Sequence, residues 1–311
     1  MLRFNYSSPG KIILFGEHAV VYGYSAVATA ITKRIHMKCE LTKSSRTEIN
    51  IIDDGDLFSF NPRNDTLSNH PDRNREKMLR FAFQDFPENH TLNVEIKSEF
   101  PTGNGLGSSA SFCSLIAAAS SRCSNQQMSK DFLYRKSTEL EKFFHKNPSG
   151  LDPATVVYGG AIKMENRQIS KNLSLPQIPL LIIDTFVPRS TAKAVQHVAD
   201  LLKKNPKIYR PMLEVLGEIS DTFEKSDKKE VSIQRYFPIA QNLLSSFDLS
   251  CKEIDDVVET AKKAGLVAKL SGAGMGGTVL VSGERAHEKA HLFNRYGVIQ
   301  SSIGAEGLRE E

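Results

Sequence analysis

Pro101-Thr-Gly-Asn-Gly-Leu-Gly-Ser-Ser-Ala-Ser111 is the stretch from which the rest of this 311-residue chain can be read. Gly103, Gly105 and Gly107 stand at alternate positions, free to take positive φ and to let a ligand approach the backbone closely. Ser108 and Ser109 then open a run of small and apolar residues suited to a buried helix. A glycine loop feeding a helix N-terminus is an anion cradle, because unpaired N–H groups and the positive end of the helix dipole face one point. A phosphate chain is the anion this geometry suggests; a turn that merely caps a helix is the alternative. The motif is not a Walker A loop, since no lysine follows the last glycine, and its G-x-G-x-G spacing is not the dinucleotide fingerprint.

Outward from the loop, the bulk composition is that of an ordinary globular protein, 40% hydrophobic and 24% charged. A length of 311 residues points to two domains or one large α/β unit. The net charge of +4 suits an enzyme of anionic substrates and is too small to argue for nucleic acid as a partner. No apolar run approaches the ~20 residues of a membrane span, and no secretory leader is visible, so neither a membrane partner nor export is expected and the cytoplasm is the expected compartment. Cys39, Cys113, Cys123 and Cys251 form no C-x-x-C pair.

Upstream, Ile12–Phe15 reads as a short apolar strand preceded by Lys11, delivering Gly16, Glu17 and His18 at an exposed turn. Alternating runs over residues 27–60 read as antiparallel strands, and the polar stretch from Asn61 to Asp72 as a loop. A helix is expected over 73–84, and a period-two strand over Thr91–Lys97 leads into the glycine loop. Downstream, Ser129 is placed to cap a helix running to about Phe144, with Glu139 and Glu141 near its end. Asp152 follows in the loop Pro148-Ser-Gly-Leu-Asp152, where an aspartate preceding a helix is by itself an ordinary N-cap. Strands at 161–164 and 180–184, helices over about 191–205, 208–226, 231–247 and 252–264, and strands at 266–270 and 278–282 complete the reading. The last two strands flank a second glycine turn, Ser271-Gly-Ala-Gly-Met-Gly-Gly277.

Pro9-Gly-Lys-Ile-Ile-Leu-Phe-Gly-Glu-His-Ala-Val-Val-Tyr-Gly23, Pro101–Ser111 and Ser271–Gly277 together resemble the three ordered signatures of the GHMP small-molecule kinases, in the form of their mevalonate kinase branch. The resemblance implies an α+β fold. Its N-terminal ATP-binding domain of mixed sheet and helices would span 1–180, and a ferredoxin-like C-terminal domain 181–311. It further implies ATP and Mg²⁺ as cofactors and mevalonate as the small-molecule substrate, with a homodimer possible. By the same resemblance Asp152 is the catalytic aspartate, with Lys11 beside it, and Glu141 and Ser109 are magnesium ligands. Gly103, Asn104, Gly105, Leu106, Gly107, Ser108 and Ser109 would hold the phosphates. Glu17, His18, Arg189, Thr191, Gly272 and Ala273 would lie at the substrate, Arg189 and Thr191 through the Val187-Pro-Arg-Ser-Thr191 segment. Two positions depart from the branch: Phe112 stands where a tyrosine is usual, and Met275 where the glycine turn usually has glycine.

Another small alcohol within the superfamily (phosphomevalonate, homoserine or a sugar), a decarboxylase-like reaction, and a non-catalytic nucleotide-binding protein remain as alternatives. His287-Glu-Lys-Ala-His291 fits the H-E-x-x-H zinc pattern on an expected helix. It lacks a following G-x-x-H, and Glu306, Glu310 and Glu311, the candidate third ligands, lie at what reads as a loose C-terminus.

Overall fold

The computed structural model describes residues 1–64, 72–145 and 149–311. Most of the expected loop from Asn61 to Asp72, and Pro148 of the aspartate loop, lie outside the described residues.

A long antiparallel pair, β1 (Leu2–Phe15) and β2 (Ala26–Lys43), forms the spine of the N-terminal half. The sequence reading begins β1 at Ile12; the structure begins it at Leu2. Ser7 and Ser8 mask the apolar pattern, yet both are fully buried because their hydroxyls have partners. Ser8 bonds Ser114 at 2.8 Å, and Ser7 accepts from the buried Arg34 at 2.8 Å. Register shifts at Pro9/Lys11 release the Lys11 N–H from the ladder, and it donates instead to Leu106 O at 2.8 Å.

β3 (Glu48–Asp53) and β4 (Asp56–Phe60) turn through Asp54-Gly55, both at positive φ as a tight hairpin requires. β5 (His90–Ser98) lies between β3, to which it is parallel, and β2. Helix α1 (Arg73–Ala82) starts at Asp72, whose carboxylate accepts from the N–H groups of Asn74 and Arg75. Helix α2 (Ser108–Cys123) follows the glycine loop and is buried along almost its whole length. Each fully buried Leu or Ile there contributes about 1.5–3 kcal/mol relative to exposure. Helix α3 (Lys130–Glu141) is capped by the Ser129 hydroxyl, as expected from sequence, and helix α4 (Leu151–Tyr158) begins beside it. A hairpin of β6 (Ala161–Glu165) and β7 (Gln168–Leu173) completes this half; β7 was not anticipated.

β8 (Ile178–Asp184) leads through helices α5 (Thr191–Lys204), α6 (Pro206–Lys225), α7 (Lys229–Ser245) and α8 (Lys252–Lys263) to β9 (Val267–Ser271) and β10 (Thr278–Ser282). All four helices fall within two or three residues of their sequence-expected bounds. β11 (Gly297–Ile303), not anticipated, pairs antiparallel with β8. The order β11-β8-β10-β9 places the four strands of this half as fourth, first, third, second, the antiparallel arrangement of a ferredoxin-like unit. β2 and β11 touch at Ile31 and Ile303, joining both halves into one mixed sheet. A division at 180/181 falls inside β8, which belongs wholly to the second half.

The C-terminus corrects the expectation of a loose end. β12 (Arg309–Glu310) pairs with β1, and the Glu311 N–H donates to Asn5 O. Arg34 supplies the reason, since its guanidinium donates to the carbonyls of Glu306 and Gly307, each at 2.8 Å. The zinc-like motif is also corrected: residues 286–293 form a 3-10 helix. With three residues per turn, side chains at i and i+4 point about 120° apart and share no face. His287 Nε2 lies at 2.9–3.0 Å from the carbonyls of Ser301 and Leu180, and His291 bonds Glu288 O.

Candidate active site

Gly103, Gly105 and Gly107 all adopt positive φ, between 76° and 86°. Gly107 is the N-cap of α2, leaving that helix's first N–H groups without a capping side chain. Its missing Cβ also matters: one placed there would lie 2.6 Å from Lys11 Cγ. The lysine therefore runs from β1 directly beneath the loop. Ser111 anchors the loop from below, its hydroxyl donating to Pro9 O at 2.6 Å and lying 3.0 Å from Gly107 O.

Lys11 ends 2.9 Å from Asp152 Oδ2, on the first turn of α4. The lysine side chain is 8% exposed and the aspartate 34%, so the pair sits at a wall with its carboxylate open to the cleft. Gly150, at φ 80°, turns the chain into α4 and presents Asp152. Glu141, the last residue of α3, approaches the same point, and Ser109 Oγ lies 3.5 Å from its carboxylate. Burial and the neighbouring Asp152 carboxylate raise Glu141 to about 8, against the opposing pull of Lys11 and Ser109. A buried carboxylate with a hydroxyl oxygen beside it and a second, cleft-facing carboxylate near by are an all-oxygen donor set that fits a hard divalent cation. A cavity of about 780 Å³ adjoins the start of the loop, lined by Thr102, Asp53, Arg75 and Leu79 among others.

The second glycine turn closes the opposite side. Arg189 reaches between the two glycine turns. A Cβ on Gly105, Gly272 or Gly277 would collide with its side chain. One guanidinium nitrogen donates to Ser271 O at 3.1 Å. Burial lowers the Arg189 pKa, and the negative charges of Asp152 and Asp184 oppose that shift. Asn104, at the loop tip, donates to Asp184, and its carbonyl accepts from Thr278 Oγ1 at 2.8 Å. The glycine loop is thereby tied to the strand ends of the C-terminal half. Met275 takes φ 60°, the left-handed shape that glycine would hold there, with its N–H on Leu249 O. The turn keeps its form despite the departure.

His18 and Glu17 depart from the exposed turn expected of them. His18 is buried at φ 58°, and its Nε2 meets Ala273 O at 2.8 Å. A carbonyl can only accept, so Nε2 carries the proton and Nδ1 is left as an acceptor. Burial lowers the His18 pKa, which favours this neutral ring. Glu17 does not reach the cleft at all: its carboxylate is sealed in an ion pair with Lys269 of β9. Thr191 stands exposed at the start of α5, capped by Ser190. Phe112 lies under the guanidinium of Arg75, 4.1 Å from its ring centroid, and Arg75 is paired with Asp53.

Lys269, Ser271, Asp184 and Thr278 were not singled out in the sequence. Lys269 left a legible signal, as the one charge within the apolar run Leu266-Val-Ala-Lys-Leu270. A charge in a buried strand requires a buried partner.

Two family models match the chain, the GHMP kinases N terminal domain over residues 75–160 and the GHMP kinases C terminal over 230–295. A mevalonate kinase of Archaeoglobus fulgidus is 32% identical over 285 residues, covering 90% of this chain and 93% of that protein. The Pyrococcus horikoshii mevalonate kinase is 28% identical over 325 residues, covering 98% and 97%. Among solved structures, the Methanococcus jannaschii mevalonate kinase superposes with a TM-score of 0.81 at 24% identity, covering 96% of this chain and 98% of that one. The structure of L. major mevalonate kinase in complex with R-mevalonate gives a TM-score of 0.77 at 20% identity, covering 96% of this chain and 94% of that one. This chain belongs to the mevalonate kinase family of the GHMP kinases, and the kinase class is ATP-dependent.

Proposed function

We propose that this protein transfers the terminal phosphoryl group of ATP to the primary hydroxyl of mevalonate, giving 5-phosphomevalonate and ADP. The observation that carries the reading is the Lys11–Asp152 pair at the mouth of the glycine loop, with Glu141 and Ser109 beside it. Phosphoryl transfer asks a protein for positioning and charge neutralisation more than for covalent chemistry.

Asp152, open to the cleft, accepts the proton of the attacking hydroxyl. Lys11 orients that carboxylate and stabilises negative charge developing on the alkoxide oxygen. The N–H groups of residues 103–109, at the start of α2, would hold the phosphates of the nucleotide. Glu141 and Ser109 would hold Mg²⁺, which supplies neutralisation of phosphate charge when bound. The cavity beside Thr102 offers room for the nucleoside. On the acceptor side, Arg189 suits a carboxylate through paired N–H bonds. His18 Nδ1, Thr191 and the backbone of Gly272 and Ala273 would offer acceptor, hydroxyl and backbone contacts to the hydroxyls. We divide the chain into an ATP-binding half ending before β8 and a ferredoxin-like half from β8 onward, with β12 returning to the first.

The test is a coupled ADP-release assay over mevalonate, phosphomevalonate, homoserine and galactose. Turnover on mevalonate is expected. Turnover on another member alone would replace the substrate, and ATP binding without turnover on any would favour a non-catalytic protein.

A further inference from the structure

Glu17 and Lys269 form an ion pair with no exposed side-chain surface on either partner. The pair links the two halves: Glu17 follows β1 in the first signature, and Lys269 lies in β9, which runs into the second glycine turn. Lys269 Nζ also donates to Leu270 O at 2.7 Å and sits over the Phe237 ring. Replacing such a pair by apolar groups of similar size is often neutral or favourable to stability, so stability alone does not account for it.

Its neighbours suggest what it does. Directly beside it, Ser271 Oγ donates to Ile13 O at 2.8 Å, and His18 donates to Ala273 O at 2.8 Å. Ser271 O in turn receives Arg189 at 3.1 Å. His18 holds φ 58°, a backbone shape that persists only where the surroundings over-determine it. Gly16, one residue before Glu17, has no room for a Cβ, which would lie 2.4 Å from Ser25 O. The turn is thus gripped on both sides of His18, and the grip on the C-terminal half runs through Lys269.

We propose that the Glu17–Lys269 pair is a positioning device that sets the second glycine turn against the first signature, and so aligns His18 and Arg189 at the acceptor end of the cleft. Neither residue touches substrate; both act through the residues that follow them. The nucleotide end has anchors of its own, through Ser111, Pro9 and the Lys11–Leu106 bond, and its ties to the C-terminal half run through Asp184 and Thr278 rather than through Lys269. The assignment of the acceptor end rests on the proposed mevalonate reading.

The test is the double variant Glu17→Gln/Lys269→Met, which removes both charges and leaves neither buried alone. Its melting temperature, mevalonate and ATP kinetics, and amide hydrogen exchange over residues 271–277 would be compared with wild type. The expected result is a folded protein whose KM for mevalonate rises at least ~10-fold, with KM for ATP within about twofold and faster exchange in the turn. A folded variant lacking either the mevalonate shift or the faster exchange would overturn the proposal. If the double variant does not fold, Lys269→Arg, which keeps the charge and moves it, is read by the same criteria. Should every replacement unfold the chain, the pair is purely structural and the proposal fails. A wild type inactive on mevalonate would instead sink the substrate reading, and the exchange result would then decide this inference alone.

Discussion

Two lysine–carboxylate pairs in this molecule, Lys11–Asp152 and Lys269–Glu17, differ in what surrounds them. Each joins a strand lysine to a carboxylate next to a glycine turn. In the first, the carboxylate is 34% exposed and faces the cleft; in the second, neither side chain has any exposed surface. An open carboxylate can exchange a proton with a ligand. A sealed one is spent holding its partner, and burial raises Glu17 while it lowers Lys269, each held back by the other's charge. The charged groups, an ammonium and a carboxylate, are the same in both, so access to the cleft decides which pair can do chemistry.

The largest expected effect separates the pairs by rate. Asp152→Asn should lower kcat by about 10²–10⁴-fold, the range for a positioned general base, with ATP affinity retained. Near-normal turnover would put the open pair on the same footing as the sealed one. Stability should separate them in the opposite sense. Lys269→Met alone strands a buried carboxylate and should cost about 3–5 kcal/mol in chemical denaturation. Lys11→Met should cost clearly less, because Asp152 can be hydrated; equal losses would break the distinction.

A third expectation concerns Arg189, wedged where the glycines leave space. Arg189→Lys loses the planar fork, and KM for mevalonate should rise about 10-fold or more, the worth of a charged hydrogen bond. Unchanged mevalonate kinetics would remove the carboxylate assignment. A gentler effect follows from Glu141, raised to about 8 from an ordinary 4.5. A carboxyl raised by folding keeps its proton in the folded state alone between those values. Metal-free stability should therefore fall as pH rises from about 4.5 to 8, and Glu141→Gln should flatten that fall. Magnesium needs the ionised form, so the Mg²⁺ concentration for half-maximal rate should drop as pH climbs through about 8. Thermal melts in chelator and metal titrations at several pH values would check both. The smallest effect is expected at the zinc-like motif. His291→Ala, on the exposed 3-10 segment, should alter stability by no more than about 0.5 kcal/mol and leave kinase activity unchanged.

Much of the site was legible before any coordinates, because its chemistry is local. Glycines at alternate positions can take positive φ wherever they stand, and Gly103, Gly105 and Gly107 all do. Ser129 and the amphipathic runs of α5 to α8 carry their own start and period, so those helices lie where the residues placed them. Legibility failed where a residue's environment comes from distant chain. Ser7 and Ser8 look like surface residues until Arg34 and Ser114 cover them. Glu17 and His18 read as an exposed turn until β9 and Ala273 close over them. The 3-10 turn over 286–293 depends in part on β8, and the docked C-terminus on Arg34, both far away in sequence.

The sequence by itself thus determined the identity of the glycine turns, the helices and the family, since backbone freedom, capping and periodicity are properties of neighbouring residues. Only the tertiary structure decided which carboxylate faces the cleft and which is sealed. Burial is a property of what packs around a group, and residues 17 and 269 meet only when the sheet brings the two halves together.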